Sequence, residues 1–198
     1  MTGMRHIRSI ARDIRGLTLI EMLVAMVIVG IMGIALVGFL RTQHQTVVRQ
    51  NAGVLATQNA RAAVDMLVRE LRNAGYSPRG ALSGARINAM QVDSVSWTAD
   101  MNADGDTLDT SAGQWDERLA YYVQGANLMR ASPGGDAAAV TDNVDSLRLA
   151  YFDGDGAATA DPAIVEQVRI RLYYSTPEGV QRGMIESQVA LRNNIYVN

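Results

Sequence analysis

Two stretches of the 198-residue chain hold side chains whose types and spacing suit chemistry. The first centres on Glu21, the only charged residue in the apolar run from Leu17 to Leu40. A carboxylate inside a membrane helix costs on the order of 2.5–3.5 kcal/mol on insertion scales, so it needs a partner or access to the interface. Glu21 lies barely one turn into the run, where snorkelling to the interface is open to it. An ammonium is the other source of compensation. Cleavage after Gly16 would free the amine of Leu17, and Glu21 of the same or a neighbouring copy would pair with it, setting the axial stagger between packed helices.

The second stretch is Asp100-Met101-Asn102-Ala103-Asp104-Gly105-Asp106, where oxygen-bearing residues alternate and a glycine stands sixth, as at the opening of an EF-hand-type calcium loop. Alternation lets side chains converge on one ion, and the glycine permits the sharp bend. The twelfth position is Ser111, where a bidentate acid belongs, with Asp109 nearby as a substitute. A Ca2+ site here would draw on Asp100, Asn102, Asp104, Asp106 and Asp109; a solvated acidic turn accounts for the same residues without a metal. Asp153-Gly154-Asp155-Gly156, with Asp161 beyond it, supplies too few ligands of its own and reads as turn chemistry.

Catalytic chemistry has little to work with. The only histidines are His6 and His44, and there is no cysteine. This excludes Ser-His-Asp, Cys-His and His-based zinc sites from the globular domain, residues 75–198. No enzymatic activity is expected and no cofactor is required. All 18 basic residues are arginine. Without residues 1–16 the chain keeps 14 basic and 19 acidic side chains, a net charge of −5. That balance leaves no electrostatic footprint for nucleic acid, and no aromatic-basic patch is visible along the chain.

The elements that must position Glu21 begin with Arg5, Arg8, Arg12 and Arg15, ahead of an apolar run of 24 residues. About 20 helical residues cross a hydrocarbon core, and a secretory h-region is shorter and ends at a small-residue cleavage site. The arginine excess on the N-terminal flank predicts a single-pass anchor with its N-terminus in the cytoplasm and its C-terminal domain outside.

At Gly16-Leu17-Thr18-Leu19-Ile20-Glu21 the sequence resembles the type IV prepilin family, including the pseudopilins of type II secretion. The basic leader, the glycine, the hydroxyl residue, the glutamate and the length of the span all match. Leucine at position 17 departs from the commoner phenylalanine. The resemblance implies cleavage between Gly16 and Leu17 by a prepilin peptidase, methylation of the new N-terminus, and assembly roles for Thr18 and Glu21. Arg72-Asn73-Ala74-Gly75-Tyr76 is also similar to the close of the long helix in PilW-like minor pilins. Many major pilins close a C-terminal loop with a disulfide, which this chain cannot form.

Beyond the span, Val48, Ala52, Leu55, Ala56, Ala60, Ala63, Leu67, Leu71 and Ala74 recur at three- and four-residue steps as one apolar stripe. They predict one helix from Leu17 to Ala74, roughly 87 Å long at 1.5 Å per residue, ended by Gly75 and Pro78. Alternating segments around Val95 and Trp97, Leu119–Val123 with Leu128–Arg130 as a hairpin, Val144–Tyr151, Val168–Tyr174 and Met184–Leu191 predict strands. The expected architecture is α+β and pilin-like, a long N-terminal helix on a mainly antiparallel sheet. Its segments are a leader (1–16), a transmembrane and filament-core helix (17–40), an amphipathic continuation (41–74) and an extracytoplasmic β-rich domain (75–198).

The function these features imply is that of a minor pilin that primes a type IV pilus and is incorporated near its tip. It would wait in the bacterial inner membrane before assembly and reach the pilus and cell surface afterwards. Partners expected from the resemblance are other minor and major pilins, the prepilin peptidase and the inner-membrane assembly platform. A J-type minor pseudopilin of type II secretion fits the same residues. A calcium-dependent adhesive module at a pilus tip is the reading from a different class.

Overall fold

The structure is a computed structural model that describes residues 18–78, 87–103, 117–132, 134 and 136–191. It falls into two compact units, Met1–Val48 and Arg49–Asn198. Helix α1 runs from Leu19 to Leu71. In the first unit every described side chain is exposed, and the helix is long and apolar enough to cross a membrane. A Cβ added at Gly30, Gly33 or Gly38 would meet nothing within 4 Å, so these glycines fit no contact among the described residues.

In the second unit, Ala60, Ala63, Val64, Leu67 and Leu71 of the helix are buried. The buried face is narrower than the predicted stripe, because Leu55 stays 58% exposed. One residue is a 100° step around a helix, which places Ala56 toward the core and Leu55 beside it. Val64 joins Ala63 on the covered face for the same reason. The helix also stops three residues before Ala74. Asn73 and Ala74 donate to the Glu70 and Leu71 carbonyls, each at 3.0 Å, in the tighter i→i+3 pattern common at helix ends. Gly75 then takes a left-handed conformation (φ 70) and donates to the Thr98 carbonyl at 2.8 Å, so the helix exit is tied to a strand.

Among the described residues two antiparallel sheets follow where a single one was expected. Strands β1 (Ile87–Met90), β2 (Ser94–Thr98), β3 (Arg118–Gln124), β4 (Asn127–Ala131) and β5 (Ala137–Thr141) form a meander in sequence order. Strands β6 (Val144–Phe152), β7 (Gln167–Ser175) and β8 (Arg182–Ala190) form the second. Short strands β1 and β5 escape the alternation rule, since Ala137, Ala138 and Ala139 offer no apolar-polar contrast. The predicted β3–β4 hairpin is present, with Gln124 opposite Asn127 and Gly125 at φ 63. The sheets are joined by Leu149 donating to the Val92 carbonyl (2.8 Å) and Val144 to that of Ala126 (2.9 Å).

One apolar core unites the lower helix with both sheets, with Trp97, Tyr121, Leu67, Leu71, Ile170 and Leu172 among its fully buried members. Trp97 and Tyr121 stack with centroids 5.8 Å apart and planes 4° from parallel. Polar contacts fix the helix to the first sheet. Glu70 accepts from the Tyr121 hydroxyl at 2.9 Å and from Arg130 Nε at 2.9 and 3.1 Å. Burial, then the hydrogen bond to Glu70, raises the Tyr121 phenol well above its usual pKa, so it remains a neutral donor at any ordinary pH.

Truncating the buried face tests this arrangement. Leu67→Ala should cost about 2–5 kcal/mol through lost burial and the cavity it leaves, whereas Leu55→Ala should stay within about 0.5 kcal/mol. Urea unfolding of the two variants side by side checks the contrast.

Candidate functional site

The residues singled out by sequence lie in two places. Gly16 and Leu17 are outside the described residues, which begin at Thr18. Thr18 stands immediately before the first helical residue, with Glu21 in the first turn. Glu21 Oε2 accepts from the Thr18 backbone N–H at 2.9 Å and from its hydroxyl at 2.8 Å, while the Glu21 N–H points to Thr18 Oγ1 at 3.4 Å. This is a capping box, in which a hydroxyl residue and a glutamate three positions on satisfy each other's backbone donors. The spacing is legible in Thr18-Leu19-Ile20-Glu21, but reading Glu21 only as a charge in need of a counter-charge misses it.

The cap changes what the carboxylate does chemically. The first N–H groups of any helix have no intrahelical partner, and Glu21 supplies one of them with an acceptor from its own chain. Ile20, Val24, Ala25 and Ile28 flank it in a shallow apolar hollow. Oε1 accepts no hydrogen bond among the described residues, leaving one oxygen free for a cation.

The acidic loops are built differently. Asp100 is 1% exposed, and its Oδ2 accepts from the Ser77 hydroxyl at 2.8 Å. Its backbone N–H donates to the Tyr76 carbonyl at 2.8 Å. Glu117 is also buried, and its Oε1 accepts from the backbone N–H groups of Met101 and Asn102, both at 2.8 Å. Asp100 anchors the residue beyond β2 to the helix exit, and Glu117 holds the backbone of Met101 and Asn102 at the start of β3. Glu117 escapes sequence reading because it is 15 residues from Asn102. Asp104, Asp106, Asp109 and Ser111 lie outside the described residues. Among the described residues no three His, Cys, Asp or Glu side chains gather as a metal site. At the second loop, Asp153 Oδ1 accepts from the N–H groups of Asp155 (3.1 Å) and Ala157 (2.8 Å). This is the Asx-turn chemistry its sequence suggests.

Over residues 11–37 the chain matches the family model of the prokaryotic N-terminal methylation motif. The matched segment contains Gly16, Leu17 and the capping box, and runs into the exposed apolar helix. No curated protein matches the chain. Among solved structures, a type IV-like pilin from Thermus thermophilus is similar at 16% identity and a TM-score of 0.44, over 69% of this chain and 97% of that one.

Removing the cap should loosen the first turn and little else. Thr18→Ala is expected to cost about 0.5–2 kcal/mol locally, seen as roughly 2- to 30-fold faster amide exchange at Leu19–Met22 in micelles, with the β-domain amides unchanged.

Proposed function

We propose that this chain is a minor pilin, a structural subunit made with a leader, cut after Gly16, methylated on Leu17 and packed by its apolar helix near the tip of a type IV pilus. The observation that carries the reading is the methylation motif over residues 11–37 set directly on a capped helix of membrane-spanning length. Its exposed side chains from Leu19 to Leu40 call for cover, first by lipid and then by other subunits' helices.

The geometry gives Glu21 two separable tasks. Oε2 holds the cap through Thr18, and Oε1 is left to receive the new ammonium of a neighbouring subunit, or of its own chain. In an apolar packing such a pair is strong only when both charges are present, and removing one leaves the other uncompensated. Other pilins, the peptidase and an assembly platform are the partners this function requires.

Intact mass of the membrane-extracted protein tests processing. Co-expression with a prepilin peptidase should remove residues 1–16 and add one methyl group, and a mature chain beginning at Met1 would refute the proposal. Glu21→Gln separates the two tasks: its amide oxygen can still accept from Thr18, so the helix start should survive while incorporation into fibres falls at least about tenfold, as expected for an unpaired buried ammonium.

A further inference from the structure

The Arg49–Asn198 unit separates its charges in a way that its own fold does not use. Strands β6–β8 carry six charged residues, Asp145, Arg148, Arg169, Arg171, Arg182 and Glu186. Register brings the arginines together. Arg148 stands directly opposite Arg171, and Ala150 opposite Arg169. Leu147, Leu149, Ile170 and Leu172 between them are buried, so strand alternation puts the arginines on the outer face. Glu186 pairs with Arg171, and Arg182 lies 3.9 Å from Asp145. Arg169 stands 4.8 Å over the Phe152 ring, and neither it nor Arg148 has an ion-pair partner among the described residues. Like charges directly opposite one another weaken a sheet, and one carboxylate offsets only part of this cluster.

The opposite polarity sits in the connection between β6 and β7. Residues 153–166 contain Asp153, Asp155, Asp161 and Glu166 and no basic residue. Asp155, Asp161 and Glu166 are exposed. None of the four makes an ion pair among the described residues. A strip of net charge +2, its internal pairs included, and a loop of net charge −4 therefore lie on one small domain, with no ion pair between them among the described residues.

We propose that the basic face of β6–β8 docks the acidic β6–β7 loop of a second copy of this chain, head to tail. The two patches differ, so the contact is heterologous and leaves one of each free at the ends of a run, as extending assemblies do. Charge is screened over about 8 Å at physiological salt, so these local patches govern the approach while the chain's overall negative charge acts at longer range. Exposed ion pairs are individually weak. The contact therefore orients copies already concentrated side by side and adds little in dilute solution. It does not depend on cleavage at Gly16.

A charge swap tests it on the full chain, reconstituted at one copy per lipid nanodisc so that apolar helices cannot meet. Sedimentation in low salt at high nanodisc concentration should show association of the wild type, with the dissociation constant rising at least about tenfold in high salt. Arg148→Glu/Arg169→Glu and Asp155→Arg/Asp161→Arg should each lose association about tenfold or more, and an equimolar mixture of the two should regain it. The neutral pairs Arg148→Gln/Arg169→Gln and Asp155→Asn/Asp161→Asn should also lose it on their own, and their mixture should stop at a heterodimer, because only the acidic loop of the first and the arginine face of the second remain to meet. Arg148, Asp155 and Asp161 are exposed and Arg169 is half-buried over Phe152, and unchanged melting curves establish that the variants fold. A wild type that stays monomeric in low salt, or charge-reversed variants that associate as well as it does, would overturn the proposal.

Discussion

Between Leu19 and Leu40 the chain presents a continuous apolar surface that none of its described residues covers. Whatever covers it, lipid or other helices, excludes water, and without water every backbone donor needs an acceptor within the protein. A helix interior meets that demand by itself, and a helix start does not. The Thr18–Glu21 box therefore belongs to the same requirement as the apolar run. It also makes a carboxylate in an apolar run tolerable, because Glu21 accepts two hydrogen bonds at the positive end of the helix dipole. A charge that looks anomalous by composition is thus accounted for by position before any intermolecular partner is invoked.

Much of this is legible in the residues themselves. Val168–Tyr174 reads as a strand because strict alternation of apolar and polar side chains suits a two-residue period and no helical one. Strand β7 covers it, with Val168, Ile170, Leu172 and Tyr174 inward. The long helix reads equally well, since neither proline nor a glycine cluster interrupts it. What escapes reading depends on distant partners. Ala137–Thr141 becomes a strand because Leu128–Ala131 offers it a ladder, which no local pattern announces. Division into two sheets is set at Asp142-Asn143, where Asn143 takes a left-handed conformation (φ 56) and turns the chain from β5 into β6. At the N-terminus both the motif and the cap are local, so that site is the more legible; Asp100 and Glu117 acquire their anchoring roles only through tertiary contacts.

Within the β-rich unit, the helix is held by shape and then fixed by polarity. Ala60 and Ala63 let the sheets approach closely, and small side chains alone permit sliding along the helix. Glu70, reaching Tyr121 and Arg130 on adjacent strands, allows only one position. The Glu70 and Arg130 side chains keep 23% of their surface exposed, so the desolvation cost of each is reduced while the directional bonds remain. Such a partly buried pair contributes specificity of placement more than net stability.

The same register logic explains why the chain's charge balance says little about its surfaces. Arg148 and Arg171 are separated by a whole turn and an acidic loop in sequence, yet the β6–β7 ladder places them side by side. Counted along the chain, the acids of 153–166 neutralise the flanking arginines. In space, strands stack the arginines laterally while the acidic connection folds back beside the end of β6, where Phe152 bridges to Ala158 and Thr159 donates to the Tyr151 carbonyl. A composition that argues against a basic surface therefore produces one, because antiparallel pairing sorts charge by strand position.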